Sequence, residues 1–279
     1  MGLTGKVYLV GAGPGDPGLL TMRGAELLSR ADVVVYDALV NRELLALAPE
    51  AAEVIFGGKR PRDQAIPQEE LNRLLAEKSR DGKTVVRLKG GDPYIFGRGG
   101  EEAAGLKRDG IPFEVVPGIS SIIAAPSYAG IPLTHREHCS SFTVITGHED
   151  PEKDESALDW ERIAREPGTK VFLMGVERIG KIAAALEANG LPADTPVAMV
   201  RWGTISRQQT ITATVATIAD EAAKANFKAP AVTIIGSVST LRDTLNWFEN
   251  RPLFGQRVVV TRNRREAGKL SGQLRDFGA

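Results

Sequence analysis

The sequence predicts an α/β fold of two domains, with a mostly parallel N-terminal sheet and a mixed C-terminal sheet. Apolar runs of strand length, rich in β-branched residues, alternate with stretches of helical spacing. Prolines and glycines cluster between 117 and 135, which indicates a domain boundary. Farther on, the strand candidates 196–201 and 209–215 leave no room for a helix between them, so the second sheet is expected to be mixed.

The first half alternates between strands and helices. Strands are expected at 6–10, 33–36, 53–56, 84–88 and 113–116, and helices at 18–30, 67–80 and 100–109. Pro67 followed by Glu69 and Glu70 is typical of a helix start, because proline and acidic side chains suit the first turn. This alternation is typical of a parallel sheet covered by helices.

The second half and the tail complete the predicted organisation. Strands are expected at 142–146, 170–174, 196–201, 209–215 and 231–235, and helices near 158–166, 177–189 and 215–226. The tail predicts one more strand at 258–261 and a helix at 264–276, which cannot form a core by themselves. The expected domains are therefore 1–134, 135–249 and 250–279, the last being the start of another domain.

Composition excludes several classes of partner. Lys plus Arg and Asp plus Glu both number 35, so no overall charge favours nucleic acid or an anionic membrane. The single cysteine, Cys139, excludes an intrachain disulfide and fits a reducing compartment. With neither a signal peptide nor an apolar run of membrane-spanning length, the sequence predicts a soluble cytoplasmic protein.

A glycine turn, Gly-Ala-Gly-Pro-Gly-Asp at 11–16, follows the first predicted strand. A dinucleotide-binding turn has a third glycine at its sixth position, where its helix approaches pyrophosphate. Here that position is Asp16, whose carboxylate would repel a phosphate. The turn is therefore expected to serve a ligand other than a nucleotide diphosphate.

Two more carboxylates follow predicted strands. Asp92 lies in the second glycine-rich stretch, after the strand at 84–88, where it can accept hydrogen bonds from a ribose or cap a helix. Asp37 follows the strand at 33–36 and has two interpretations, a ribose ligand of a nicotinamide enzyme or a capped turn.

Two other clusters have simpler interpretations. His135, Glu137, His138 and Cys139 match no standard zinc spacing, so no metal is predicted. The basic residues at 59–62 are typical of a solvated turn, although their place after a strand makes them a candidate anion clamp.

Taken in order, four stretches resemble the tetrapyrrole methylases, which use S-adenosylmethionine. They are Gly-x-Gly-Pro-Gly-Asp at 11–16, Arg-Leu-x-Gly-Gly-Asp-Pro at 87–93, Val-Pro-Gly-Ile-Ser at 116–120 and Gly-Ile-Pro-Leu-Thr at 130–134. Three further stretches resemble the uroporphyrinogen-III C-methyltransferase branch in particular: Gly-Lys-Arg at 58–60, Ile-Pro-Gln-Glu-Glu at 66–70, and residues 91–102. Residues 252–262 are similar to the start of uroporphyrinogen-III synthase.

The resemblance implies a homodimer of two α/β domains with S-adenosylmethionine in the cleft between them. It implies that two methyl groups are transferred to uroporphyrinogen III, giving precorrin-2 for sirohaem or cobalamin biosynthesis. The positions that match cofactor contacts are Pro14, Gly90, Gly91, Asp92, Ile95, Ser120, Ser121, Met174, Gly203 and Ala231. Asp37 and Lys59 match the proton acceptor and donor. The methyl donor arrives activated, so the chemistry needs no metal.

The substrate's acetate and propionate groups require local cations. The candidates are Arg23, Arg60, Arg62 and Arg98, with Asp16 facing the tetrapyrrole. Three alternatives remain open: a methylase of a later corrin precursor, a nicotinamide-binding oxidoreductase and a non-catalytic regulator that binds S-adenosylmethionine.

Overall fold

The computed structural model of the protein describes residues 5–58, 67–147, 158–261 and 264–279. The chain divides after Ser121 into two compact units, here called the N-terminal unit and the C-terminal unit. This division falls within the 117–135 stretch in which the sequence predicts a boundary. The predicted domain limits at 134 and 249, and the cleft between the domains, stay predictions.

The N-terminal unit contains a five-stranded parallel sheet, which confirms the prediction. Its strands are β1 (Lys6–Gly11), β2 (Val33–Tyr36), β3 (Glu53–Phe56), β4 (Thr84–Lys89) and β5 (Phe113–Val116). Their spatial order is β3-β2-β4-β1-β5, and every neighbouring pair is parallel. All five carboxyl ends therefore lie at one edge of the sheet, where open α/β sheets bind ligands.

Helices cover both faces of this sheet. The α-helices in the described part of the N-terminal unit are α1 (Met22–Leu28), α2 (Gln68–Arg80) and α3 (Gly99–Arg108). On one face α2 and α3 pack against Val7, Val33 and Val85. On the other face α1 packs against Val10 and Val34. Burial on both faces explains why these strands are continuous apolar runs.

The C-terminal unit contains the predicted mixed sheet. Its strands are β6 (Phe142–Thr146), β7 (Thr169–Leu173), β8 (Pro196–Arg201), β9 (Gln209–Thr214) and β10 (Ala231–Ile235). They are ordered β6-β7-β10-β8-β9; β6 and β7 are parallel, and the other neighbours are antiparallel. The helices are α4 (Ser121–Tyr128), α5 (Trp160–Arg165), α6 (Ile179–Ala188), α7 (Ile218–Lys224), α8 (Arg242–Leu245) and α9 (Arg264–Asp276).

Three local predictions differ from the structure. The helix expected at 18–30 begins later, because Asp16 caps a short 3₁₀ turn (Pro17–Leu19) before Thr21 caps α1. Helix α4 was not predicted, because Pro126 lies inside it. The strand expected at 258–261 is wrong: these residues form no strand, and Val259 is 80% exposed. A strand needs a pairing neighbour, and the described residues supply none there. The helix predicted at 264–276 is confirmed as α9.

Candidate functional site

The glycines of three strand-end loops meet backbone to backbone in the N-terminal unit. Gly13 and Gly91 exchange both main-chain hydrogen bonds, at 2.8 and 3.2 Å. A Cβ on Gly118 would lie 2.3 Å from the Gly91 carbonyl oxygen, and one on Gly11 would lie 2.5 Å from the Gly118 Cα. Only glycine permits this approach, so the loops after β1, β4 and β5 form one continuous main-chain surface.

Asp92 fastens that surface with its carboxylate. Its Oδ1 accepts a hydrogen bond from the Tyr94 N–H at 2.8 Å, and its Oδ2 accepts one from the Gly118 N–H at 2.9 Å. The helix-cap interpretation is wrong, because α3 begins at Gly99 with Arg98 as its cap. Each carboxylate oxygen has a second lone pair, so Asp92 retains the capacity to bind a ligand hydroxyl.

Asp37, beyond the end of β2, pairs with a buried arginine. The Arg87 Nη2 donates to Asp37 Oδ1 at 2.5 Å, and its guanidinium is almost inaccessible to solvent whereas the Asp37 side chain is 29% exposed. A charge-assisted bond this short fixes the carboxylate strongly. The Asp37 carboxylate is therefore fixed in place and accessible to solvent, and the cap of the following 3₁₀ helix is Asn41 and not Asp37.

Glu102 lies directly behind this pair, fully buried on α3. Its Oε1 accepts from Arg87 Nε at 3.2 Å and from Lys89 Nζ at 2.7 Å, while Oε2 has no hydrogen-bond partner among the described residues. Burial, followed by the neighbouring Arg87 charge, lowers the pKa of Lys89, and Glu102 opposes this shift. Together with Asp37 these residues form a buried ion network of two cations and two carboxylates.

The other predicted residues of this unit have varied surroundings. Asp16 Oδ1 accepts from the Gly18 N–H at 2.8 Å, and the Asn41 amide donates to the carbonyl of the preceding residue, Gly15, at 2.8 Å. Arg23 pairs with Glu26 and Glu114, and Arg98 pairs with Glu101. Pro14, Gly90, Ile95 and Ser120 lie in the strand-end loops, Ile95 exposed and Ser120 buried, and Ser121 is the first residue of α4. Lys59, Arg60 and Arg62 lie outside the described residues.

The sheet register brings together the three candidates of the C-terminal unit. Val232 pairs with Leu173, and Ala231 pairs with Arg201. Met174 and the 202–208 loop, which follow β7 and β8, therefore flank Ala231 at the start of β10. Gly203 belongs to that loop, so Met174, Gly203 and Ala231 lie at one edge of the mixed sheet.

Backbone conformation at this edge is unusual for residues with side chains. Met174, Trp202 and Thr204 have φ values of 57°, 49° and 75°, in the left-handed region. Such conformations cost about 1–3 kcal/mol each and concentrate at functional sites. A Cβ on Gly203 would lie 2.5 Å from the Ala125 Cβ, so no larger residue fits there.

The histidine and cysteine cluster forms a local turn. His135 Nδ1 accepts from the Glu137 N–H at 3.3 Å, and Cys139 Sγ lies 3.2 Å from Thr169 Oγ1. Across the described parts of the chain, no group of three or more His, Cys, Asp or Glu side chains is arranged to hold a metal ion.

Comparison with known proteins decides the family. Residues 6–219 match the profile of the tetrapyrrole (corrin/porphyrin) methylases. The chain belongs to the tetrapyrrole methylase family. The parallel and mixed five-stranded sheets of this methylase match the solved structures of the family, which confirms the resemblance inferred from the glycine motifs.

Several relatives of the methylase are similar over most of the chain. An S-adenosyl-L-methionine-dependent uroporphyrinogen III methyltransferase of Methanosarcina barkeri is 53% identical over 86% of this chain and 94% of its own length. A porphyrin biosynthesis protein of Ruminiclostridium josui is 47% identical over 99% of this chain, which spans about half (54%) of that relative. The uroporphyrin-III C-methyl transferase of Thermus thermophilus, solved with S-adenyl homocysteine, has 41% identity and a TM-score of 0.73, over 85% of this chain and all of that one.

Sequence reasoning missed the charged residues behind the loops. Arg87 and Lys89 alternate with apolar residues in β4, which places both on one face of a buried sheet, and this alternation was the available signal. No comparable pattern marks Glu102 on α3, or Gln208 of the 202–208 loop, whose amide donates to Glu249 at 2.8 Å, because these contacts depend on tertiary packing. Among the described segments, no helix is long and apolar enough to span a membrane.

Proposed function

We propose that this methylase transfers two methyl groups from S-adenosylmethionine to uroporphyrinogen III, giving precorrin-2. The observation that carries the proposal is its 53% identity to the Methanosarcina barkeri enzyme over almost all of that enzyme's length. The motifs at 58–60, 66–70 and 91–102, which resemble this branch of the family in particular, support it against a methylase of a later corrin precursor.

The main-chain surface of the N-terminal unit suits the methyl donor. When bound, S-adenosylmethionine supplies a methyl group activated on a sulfonium. Glycine backbone and one carboxylate, Asp92, favour ribose hydroxyls and an ammonium group, and disfavour a pyrophosphate. We assign Pro14, Gly90, Gly91, Asp92, Ile95, Ser120 and Ser121 to this ligand, with Met174, Gly203 and Ala231 from the C-terminal unit.

Asp37 is the group that we assign as proton acceptor. Attack by a pyrrole carbon on the methyl group leaves a cationic ring, which must lose one proton. Arg87 occupies Oδ1 of Asp37, so Oδ2 is the oxygen that remains available among the described residues. The same arginine fixes the orientation of the carboxylate, as a general base requires. Lys59 is the assigned proton donor.

Cations are assigned to the acetate and propionate groups of the substrate. Arg60 and Arg62 are proposed for this role together with Arg23 and Arg98, and Asp16 is proposed to face the tetrapyrrole. Arg98 donates a hydrogen bond to Glu101, and this bond raises the pKa of Arg98 and lowers that of Glu101. A cytoplasmic homodimer that requires no metal completes the proposal.

The decisive experiment is an anaerobic assay of the purified chain with S-adenosylmethionine and enzymatically made uroporphyrinogen III. We expect two equivalents of S-adenosylhomocysteine for each precorrin-2 formed. Binding of the methyl donor without turnover would overturn the substrate assignment, and competition with later corrin precursors would identify the true acceptor. Binding of NAD in place of S-adenosylmethionine, measured by calorimetry, would overturn the reaction class.

A further inference from the structure

We propose that Glu249 is a positioning residue that holds the 202–208 loop in its ligand-binding conformation. The inference rests on the proposed function, because that function assigns Gly203 of this loop to S-adenosylmethionine. Glu249 lies beyond the 6–219 stretch that matches the family profile, and about 40 residues along the chain from the loop that it holds.

The loop requires an external support. Trp202 and Thr204, on either side of Gly203, both have left-handed backbone conformations that side chains disfavour. Conformations of this kind persist only where surrounding contacts impose them. The Trp202 ring stacks under the Arg207 guanidinium, 3.5 Å from ring centroid to Cζ, but both of these residues belong to the loop itself. A contact from elsewhere must therefore fix the backbone.

That contact is made by Glu249, and it reaches the backbone through Gln208, the last residue of the loop, which is almost fully buried. Gln208 Oε1 accepts from the Thr204 N–H at 2.9 Å. Its Nε2 donates to Glu249 Oε1 at 2.8 Å and to the Tyr128 carbonyl at 3.4 Å. An amide can exchange its oxygen and nitrogen by rotating half a turn, which would point two donors at the Thr204 N–H. The Glu249 carboxylate, paired with Arg242, accepts the hydrogen bond from the amide nitrogen. Glu249 therefore favours, together with the Tyr128 carbonyl, the amide orientation that holds Thr204.

Glu249 is itself fixed by side chains of two other elements. Thr210 Oγ1 on β9 donates to Oε1 at 2.6 Å, and Arg242 on α8 forms a short ion pair with Oε2. Arg242 also donates to the Ala129 carbonyl at 2.8 Å. Both oxygens are therefore bonded in a largely buried setting, where a charge-assisted hydrogen bond is stronger than in water.

The chain of contacts runs from Arg242 through Glu249 and Gln208 to the Thr204 backbone. It predicts that loss of the carboxylate weakens binding of the methyl donor without altering recognition of the tetrapyrrole. A residue with only a structural role would affect stability, and both ligands alike.

The test is calorimetric titration of the purified full chain with S-adenosylhomocysteine, which needs no turnover. We expect Glu249→Ala to weaken binding by about ten-fold or more, as loss of a hydrogen bond to a charged group implies. Glu249→Gln, which retains an accepting oxygen, should lose less. Asp243→Asn is the matched control: this exposed carboxylate neighbours Arg242, and its variant should bind as the unaltered chain does.

A double-mutant cycle with Gln208→Ala separates positioning from general weakening. If Glu249 acts through Gln208, the double variant should bind S-adenosylhomocysteine no more weakly than the weaker single variant. In steady-state assays the KM for S-adenosylmethionine should rise while the KM for uroporphyrinogen III stays constant.

Any of three results would overturn the inference: unchanged S-adenosylhomocysteine affinity in Glu249→Ala, additive losses of affinity in the double variant, or an equal rise in both KM values. Should Glu249→Ala fail to fold, Glu249→Gln and Gln208→Ala carry the same test. If the unaltered chain itself binds no S-adenosylhomocysteine, the proposed function fails; if it binds and the variants bind equally well, only the role of Glu249 fails.

Discussion

Each unit of the methylase has a glutamate beside its candidate ligand loops, Glu102 fully buried and Glu249 partly buried, but the two carboxylates contact different targets. Glu102 in the N-terminal unit holds two cationic side chains through one oxygen, and its other oxygen has no partner among the described residues. Glu249 in the C-terminal unit has both oxygens bonded and acts on backbone through Gln208. The first arrangement sets the charge next to the proposed proton acceptor, Asp37, and the second sets the shape of a proposed ligand loop.

The largest expected effect tests the charge arrangement. Glu102→Gln leaves Arg87 and Lys89 buried with one carboxylate, Asp37, and should lower the free energy of unfolding by about 3–5 kcal/mol. Urea denaturation measures this change. Glu77→Gln, at an exposed position on α2, is the control and should change stability by less than about 0.5 kcal/mol.

A second variant shows whether the loss of stability in Glu102→Gln comes from unpaired charge or from altered packing. Lys89→Met combined with Glu102→Gln removes one charge of each sign and should recover part of the lost stability, because no uncompensated cation remains. A double variant that is less stable than Glu102→Gln alone would show that Glu102 serves packing, and the contrast with Glu249 would then be lost.

Asp37→Asn should separate chemistry from binding in the N-terminal unit. Loss of the proposed proton acceptor is expected to reduce kcat by about 100-fold or more, while S-adenosylhomocysteine affinity stays within about two-fold, since the amide retains the shape of the carboxylate. Single-turnover and calorimetric measurements report the two quantities, and Asp81→Asn on the exposed end of α2 is the control. Equal losses in kcat and affinity would assign Asp37 to ligand binding.

The same substitution, glycine to alanine, can be made at a close main-chain contact in each of the two units. Gly118→Ala and Gly203→Ala would each place a methyl group within 2.5 Å of another atom and should each cost about 1–3 kcal/mol of stability or ligand affinity. Gly180→Ala on α6, whose new Cβ would meet its nearest neighbour at 3.6 Å, should be neutral or stabilising. Thermal unfolding with and without S-adenosylhomocysteine distinguishes a loss of fold from a loss of affinity.

The smallest expected change in stability concerns the surface ion pairs of Glu114 with Lys6 and Arg23. It provides a reference against which the effects of the buried charges can be compared. Bonds from Lys6 and Arg23 lower the pKa of Glu114, so its contribution to stability is present above the ordinary carboxyl pKa and is lost as pH falls through the lowered value. Glu114→Gln should therefore destabilise the chain at neutral pH by about 0.2–1 kcal/mol. The difference should vanish in acid. A difference that persists there would point to packing.

The fold was largely predictable because most of its strands are apolar runs with buried side chains. The composition of runs such as the one at 33–36 is enough to predict a strand. The short connection between β8 and β9 implies a mixed sheet. Helix α4 was missed because Pro126 outweighs the apolar residues around it in any local interpretation. The strand at 258–261 was predicted wrongly because local composition does not supply the neighbour with which a strand pairs.

The candidate site was predictable only where residue type alone limits the possibilities. Gly91 at φ 68° and Gly118 in its main-chain contact require glycine, and these glycines carried the resemblance. Glu102 and Glu249 are ordinary glutamates in the sequence. Their importance arises from burial and from partners distant along the chain, such as Gln208, and no spacing rule encodes those contacts.

The contact between the Gly13, Gly91 and Gly118 loops has a consequence for how this surface can change. Its contacting atoms belong to the main chain, so no substitution elsewhere can make room by shortening a side chain. A methyl group added at Gly118 can be accommodated only by moving β1, β4 and β5 apart. Genetic suppressors of such a variant should therefore be true revertants, and the specificity of this surface should evolve through the residues around the three glycines.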